Sequence, residues 1–116
     1  MAGSYNFIGS LHQDGDQLDL ALNYFIKDLE IVQTIVEDDP VSSVWKDSLA
    51  ASYRSVASVY QALGDLDIAL EMNEAGVSIM RALVLSYQSN YEWQRELFIL
   101  QTQSAGVLRL LGNYFD

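Results

Sequence analysis

The sequence predicts an all-α protein built as a right-handed solenoid of antiparallel helical hairpins. Apolar residues recur at intervals of three and four along most of the chain, which is the spacing of one helix face. Gly64 and Asp65 interrupt this pattern near the middle, where glycine favours the left-handed end of one helix and aspartate favours the cap of the next. The chain also resembles itself at an offset of 48 residues, which is typical of a repeat architecture.

The offset of 48 residues aligns positions that a helical hairpin must specify. Tryptophan recurs at Trp45 and Trp93, and the pair at 63–64 recurs at 111–112. Chance would scatter such matches, whereas here they are apolar, small or turn residues. We therefore expect a single domain with repeat 1 over about 1–40, repeat 2 over about 41–88 and a partial repeat 3 over about 89–116.

About five helices are predicted, in the order A-B-A-B-A, with a shortened first A helix and no last B helix. Their predicted ranges are 2–13, 17–37, 41–63, 66–87 and 90–111. Pro40 ends the second helix because proline restricts the residue before it and lacks an amide hydrogen. Ser89 and Glu92 have the spacing of a capping box, which predicts that Ser89 opens the fifth helix. Gly112 and Asn113 are expected to repeat the turn of Gly64.

The middle copy resembles the tetratricopeptide repeat family. Its residues follow the family's order of aromatic, aliphatic, small, aromatic, glycine and alanine. They are Tyr53, Val56, Ala57, Tyr60, Gly64, Ala69 and Leu70. The segments 39–45 and 93–97 look like those of a long-repeat bacterial subgroup. Two features depart from the family. The period exceeds the usual length of about 34 residues, and Asn73 and Gly76 stand where an aromatic residue and an alanine are expected.

Composition excludes several classes of partner and site. The formal charge of −10 repels phosphate, so nucleic acid and anionic membranes are poor partners. The chain has no cysteine, which excludes disulfides and thiolate chemistry. No apolar run approaches the roughly 18 residues of a membrane span, and no basic-then-apolar leader opens the sequence. A cytoplasmic protein is therefore expected by default.

No catalytic, metal or cofactor site is predicted. The single histidine, His12, has no nucleophile and orienting group around which a catalytic arrangement could be built. The acidic cluster of Asp14, Asp16 and Asp19 lacks the central glycine of a calcium loop, and Phe25 stands where the bidentate glutamate belongs. These residues are better interpreted as turn and cap chemistry. The two tryptophans are expected to pack neighbouring hairpins together rather than to stack on a ligand.

The resemblance implies a non-catalytic scaffold that binds a protein or peptide in a concave groove lined by the A helices. Arg54 and Arg109 are two of only six basic residues, so the predicted ligand is an acidic or C-terminal segment held by guanidinium groups. The lysine–asparagine clamp of chaperone-tail binders is absent. The groove positions carried over are Asn6, Ser10, Gln13, Arg54, Ser58, Gln61, Thr102, Gly106 and Arg109.

The alternative function is self-association, with the chain acting as an oligomerisation module or as a fragment of a larger regulatory protein. The fifth predicted helix carries an apolar stripe that a following B helix would normally cover. Uncovered apolar surface of more than a few hundred Å² usually marks an interaction site. A two-fold dimer is the simplest arrangement. The stripe comprises Leu97, Leu100, Val107, Leu108 and Leu111.

Overall fold

The computed structural model describes residues 18–115, and these residues form four long α-helices. They are α1 (Leu18–Asp38), α2 (Ser43–Leu63), α3 (Leu66–Ser86) and α4 (Tyr91–Phe115). The all-α class is confirmed, and the four helices correspond to the second to fifth predicted helices. The predicted first helix over 2–13 lies outside the described residues. The break at Pro40 is also confirmed, since α1 ends two residues before it.

The turn between α2 and α3 is held by backbone hydrogen bonds around a left-handed glycine. Gly64 has φ of 87°, and its N–H donates to the carbonyl of Gln61. The N–H of Asp65 donates to the carbonyl of Tyr60 at 2.9 Å. The predicted left-handed glycine is therefore confirmed. The prediction for Asp65 is wrong, because its side chain makes no capping hydrogen bond at the start of α3.

Helices α2 and α4 begin with the same arrangement of cap and tryptophan. The Ser42 hydroxyl accepts a hydrogen bond from the N–H of Trp45, and the Asn90 side chain accepts one from the N–H of Trp93. The two caps are 48 residues apart, like the two tryptophans. The predicted capping residue Ser89 is therefore one position too early. Asn90 takes the role because its amide oxygen reaches the free backbone donors of the first turn.

The end of α4 does not repeat the end of α2. Gly112 and Asn113 were predicted to form a turn, but α4 continues through them to Phe115. Glycine permits a left-handed turn without requiring it, and a glycine inside a helix costs only about 1 kcal/mol relative to alanine. The similarity between the two helices therefore includes their starts and not their ends.

Consecutive helices pack as antiparallel hairpins around two apolar clusters, with α2 between them. The first cluster joins α1 to one side of α2 and includes Phe25, Val32 and Val59. The second joins Ala50 of α2 to α3 and α4. Trp45 packs against the first cluster and Trp93 against the second, which confirms their predicted structural role. Helices α2 and α4 also contact each other, whereas no Cα atom of α1 lies within 8 Å of one in α3.

The two departures from the family pattern lie where three helices meet. Asn73 of α3 is fully buried, and its amide donates to the carbonyl of Leu100 and to the hydroxyl of Ser104, both at 2.6 Å. One turn later, a Cβ atom on Gly76 would lie 3.3 Å from the carbonyl oxygen of Ala50 and 3.4 Å from a methyl group of Leu100. These residues therefore fix the approach of α3 to α2 and α4.

A buried carboxyl group joins α1 to α2. Asp28 is 3% exposed, and one of its oxygens accepts a hydrogen bond from the Ser52 hydroxyl at 2.8 Å. The other oxygen has no hydrogen-bond partner among the described residues. Burial raises the pKa of the Asp28 carboxyl, and the hydrogen bond from Ser52 opposes that rise only in part. The ionised form of Asp28 therefore destabilises the fold at neutral pH.

We expect Asp28→Asn to raise the free energy of unfolding by about 1–2 kcal/mol at pH 7, because it removes a buried charge and keeps the side-chain shape. The raised pKa means that the folded chain holds this proton more tightly than the unfolded chain. The contribution of Asp28 to the free energy of unfolding is therefore fully present below its pKa in the unfolded chain. It is lost as pH rises through the pKa of Asp28 in the folded chain. The gain over wild type should shrink as pH falls from 7 towards 4. Urea denaturation at several pH values measures it, with the exposed Asp65→Asn as control.

Candidate functional site

The predicted groove positions on α2 follow one helix face. Arg54, Ser58 and Gln61 are spaced four and three residues apart, so they share a side of the helix. Arg54 and Ser58 are half-buried and Gln61 is exposed. The three predicted positions of the first copy, Asn6, Ser10 and Gln13, lie outside the described residues.

Arg54 is already paired within the chain. Its guanidinium forms an ion pair with the carboxylate of Glu96 on α4, at an N–O distance of 2.5 Å. Both side chains are partly shielded from solvent, and the pair connects α2 to α4. A carboxylate from a ligand would have to displace Glu96 before it could bind Arg54.

Acidic side chains surround this ion pair. Burial raises the pKa of the Asp47 carboxyl on α2, and the neighbouring carboxylates of Glu96 and Glu92 raise it further. A hydrogen bond from the Trp93 side chain and the positive charge of Arg54 act in the opposite direction. The region between α2 and α4 therefore contains the carboxyl groups of Asp47, Glu92 and Glu96 close to the guanidinium of Arg54.

Sequence reasoning missed Asp47, Glu92 and Glu96. One signal for them was available, since Asp47 lies seven residues before Arg54 and therefore on the same helix face. Glu92 and Glu96 are likewise one turn apart on α4. Which charged residues of the two helices meet depends on how the helices pack, and periodicity within one helix does not contain that information.

The predicted positions on α4 are more open than those on α2. Thr102 and Arg109 are both exposed, while Gly106 between them is half-buried. The Thr102 hydroxyl donates to the carbonyl of Phe98 one turn earlier at 2.8 Å, so its hydrogen is already used. Arg109 forms no ion pair within the part of the chain that the structure describes.

The apolar stripe predicted for self-association is divided between the interior and the surface. Leu100 is 0% exposed and Val107 is 2% exposed, because both pack inside the chain. Their prediction as surface residues is therefore wrong. Leu97 and Leu111 are half-buried, and Leu108 is 53% exposed. The helical spacing identified an apolar face but could not show that α3 already covers part of it.

A shallow cleft of about 320 Å³ lies between α3 and α4 beside Leu108. Val77 and Ala105 form apolar parts of its wall, and Glu74 and Arg81 of α3 supply charged parts. Phe98, two turns before Ala105 on α4, is 68% exposed. Helix α4 therefore presents the large apolar side chains of Phe98 and Leu108 to solvent.

The described residues hold no cluster of three or more histidine, cysteine, aspartate or glutamate side chains placed to bind a metal ion. Of the acidic cluster considered above, only Asp19 lies in this part of the chain. None of the four helices is both long enough and apolar enough to cross a membrane. The surfaces of α2, α3 and α4 described above therefore consist of polar, charged and apolar patches.

Comparison with known families matches a sequence model described as tetratricopeptide repeat to residues 49–86. The matched segment begins within α2, contains the Gly64 turn and ends with the last residue of α3. This hairpin is a tetratricopeptide repeat. All seven residues that carried the resemblance in the middle copy lie inside it. The predicted family is therefore confirmed for this hairpin, and the long-repeat bacterial subgroup stays a prediction.

In this repeat α2, before the Gly64 turn, is the A helix, and α3, after the turn, is the B helix. Tetratricopeptide repeats generally mediate interactions between proteins, through extended surfaces built from stacked hairpins. No curated protein and no solved structure matches the chain. The family match and the geometry of the helices are therefore the basis for its function.

Proposed function

We propose that this chain is a non-catalytic scaffold that binds a segment of a partner protein along the face formed by α2 and α4. The observation that carries the proposal is the match of the α2–α3 hairpin to a tetratricopeptide repeat. The Arg54–Glu96 ion pair links α2 to α4 across this face. Gln61 of α2 and Arg109 of α4 are exposed polar residues of the same two helices. A cytoplasmic location belongs to the same proposal.

The charges on the two helices favour Arg109 as the residue that binds a carboxylate. Arg54 is neutralised by Glu96, and Asp47 and Glu92 lie close to that pair. A ligand carboxylate placed there would meet like charges. Arg109 is exposed and forms no ion pair with the described residues. We propose that an acidic or C-terminal segment binds with its carboxylate at Arg109 and its uncharged part along Ser58 and Gln61.

The test uses a peptide selected from a random display library on the immobilised wild-type chain. Arg109→Met should weaken its binding about tenfold, the usual effect of losing one charge-assisted hydrogen bond. Arg54→Met should have a smaller effect, because Glu96 already uses that charge. Arg81→Met on α3 is the matched control and should bind like wild type. A peptide that depends on Arg81 and not on Arg109 would contradict the proposal.

A second candidate function is self-association through the exposed side of α4. It is favoured by the exposure of Phe98 and Leu108 and by the cleft between α3 and α4 next to Leu108. Contiguous apolar patches of more than a few hundred Å² usually mark interaction sites. A two-fold dimer would bury these residues against the same residues of a second copy. The chain could then act within a larger regulatory protein by joining two copies of it.

Sedimentation velocity at micromolar concentrations tests the second candidate. Association of the 13.0 kDa chain should be lost in Leu108→Glu and kept in Leu85→Glu, an exposed leucine on α3 outside the cleft. Leu100 is unsuitable for this test, because a glutamate at that buried position would unfold the chain. A wild-type chain that sediments as a monomer throughout the concentration range would exclude this candidate.

A further inference from the structure

A second cleft lies away from the face of α2 and α4, between the end of α1 and the second half of α3. Its volume is about 420 Å³, which is within the range of ligand-binding pockets. It forms because α1 and α3 both pack on α2 without approaching each other closely. Its apolar walls come from all three helices and the turn that follows α1, and include Val36, Val41, Leu49, Ile79, Leu83 and Tyr87.

Lys46 is the charged residue of this cleft. It lies in the first turn of α2, is half-buried and forms no ion pair within the described part of the chain. No aspartate or glutamate is among the residues of α1, α2 and α3 that line the cleft, although the chain has 16 acidic residues. The hydroxyl groups of Ser43, Ser78 and Ser86 also line it. The cleft therefore combines apolar walls with one positive charge that has no ion-pair partner among the described residues.

The apolar surface continues from the cleft onto the end of the molecule. Val41 is 84% exposed and Tyr87 is 48% exposed, and both line the cleft and belong to the connections between helices. Tyr87 is also held in place by an edge-on contact with Trp93, at a ring distance of 5.2 Å. A small ligand inside the cleft would leave this rim uncovered. A peptide chain that crosses the rim would cover it.

We propose that this cleft binds a peptide segment of a partner protein in which an apolar side chain is followed by a carboxylate. The apolar side chain enters the space between Val36, Ile79 and Leu83. The carboxylate accepts a hydrogen bond from the Lys46 ammonium, with the serine hydroxyls as further donors. This site is separate from the face of α2 and α4 and does not depend on the function proposed for that face.

The test titrates the isotope-labelled chain with two end-blocked pentapeptides and follows its amide signals by NMR. One peptide has leucine, phenylalanine and glutamate between two serines, and the other has glutamine in place of the glutamate. We expect the glutamate peptide to shift signals of the cleft residues and to bind about tenfold more tightly than the glutamine peptide. Signals that move instead around Gln61 and Arg109 would assign the peptide to the other face and overturn this proposal.

Three variants complete the experiment. Lys46→Met should remove the difference between the two peptides, because it keeps the apolar stem and removes the charge. Ala82→Phe should block both peptides by filling the cleft from its exposed wall, and circular dichroism is used to check that this variant remains helical. Lys27→Met removes an exposed lysine of α1 outside the cleft and should behave like wild type. Equal binding of both peptides to wild type, or no binding at millimolar concentration, would overturn the proposal.

Discussion

Replacing Asn73 by aspartate is expected to lower the free energy of unfolding by about 3 kcal/mol or more at pH 7. The side chain keeps its size, but the amide group that donates to the Leu100 carbonyl and the Ser104 hydroxyl is lost. A carboxylate would instead face a carbonyl oxygen in a buried site, where an unpaired charge is costly. Protonation restores a donor, so the loss in Asn73→Asp should decrease as pH falls from 7 towards 4.

Asn90→Asp is the matched control for this change. Asn90 accepts a hydrogen bond from the Trp93 N–H at the start of α4, and an aspartate accepts it equally well. Its negative charge is also favourable at a helix N-terminus. Chemical denaturation at pH 7 should therefore show a large loss for Asn73→Asp and none for Asn90→Asp. A loss of less than 1 kcal/mol at position 73 would mean that Asn73 does not hold α3 to α4.

The second large effect is expected for Gly76→Leu, which should cost about 3 kcal/mol. Its first side-chain carbon would already lie 3.3 Å from the backbone oxygen of Ala50, which cannot move without shifting α2. The remaining atoms of a leucine would have to displace Leu100. The better helix propensity of leucine offsets less than 1 kcal/mol of this cost.

Gly106→Leu separates packing from helix propensity. Gly106 also lies inside a helix, but a Cβ atom there would meet nothing within 4 Å apart from its chain neighbours and its own helix backbone. This variant should therefore be more stable than wild type by up to about 1 kcal/mol. Thermal unfolding measures both variants, since 1 kcal/mol shifts the midpoint by roughly 4–8 °C in a domain of this size. Equal midpoints for the two variants would contradict the close approach at Gly76.

The helices could be predicted because their boundaries are marked by residues with strong local preferences. Pro40 and Gly64 act through their own backbone geometry, and both predictions hold in the structure. The prediction that needed a choice between two neighbouring polar residues was wrong. It named Ser89 as the cap of α4, whereas the side chain of Asn90 is the cap. The prediction of a turn at Gly112 was wrong for a related reason. A glycine allows a turn, but whether the chain turns depends on what the next residues can pack against.

The charged part of the candidate site could not be predicted, because it depends on the packing of two helices. Arg54 was identified from its helix face, but its partner Glu96 lies 42 residues away and is brought close only by the contact between α2 and α4. The division of the apolar stripe has the same origin. Periodicity places Leu100 and Leu108 on one broad face of α4, and only the position of α3 shows that the first is buried and the second exposed.

Photochemical cross-linking of the selected peptide tests the central claim most directly. The photoreactive residue p-benzoylphenylalanine replaces either the exposed Gln61 on α2 or the exposed Glu71 on α3. Binding along the face of α2 and α4 predicts that the peptide is cross-linked from position 61 and not from position 71, and that unlabelled peptide competes. Cross-linking from position 71 that equals or exceeds that from position 61 would contradict the claim.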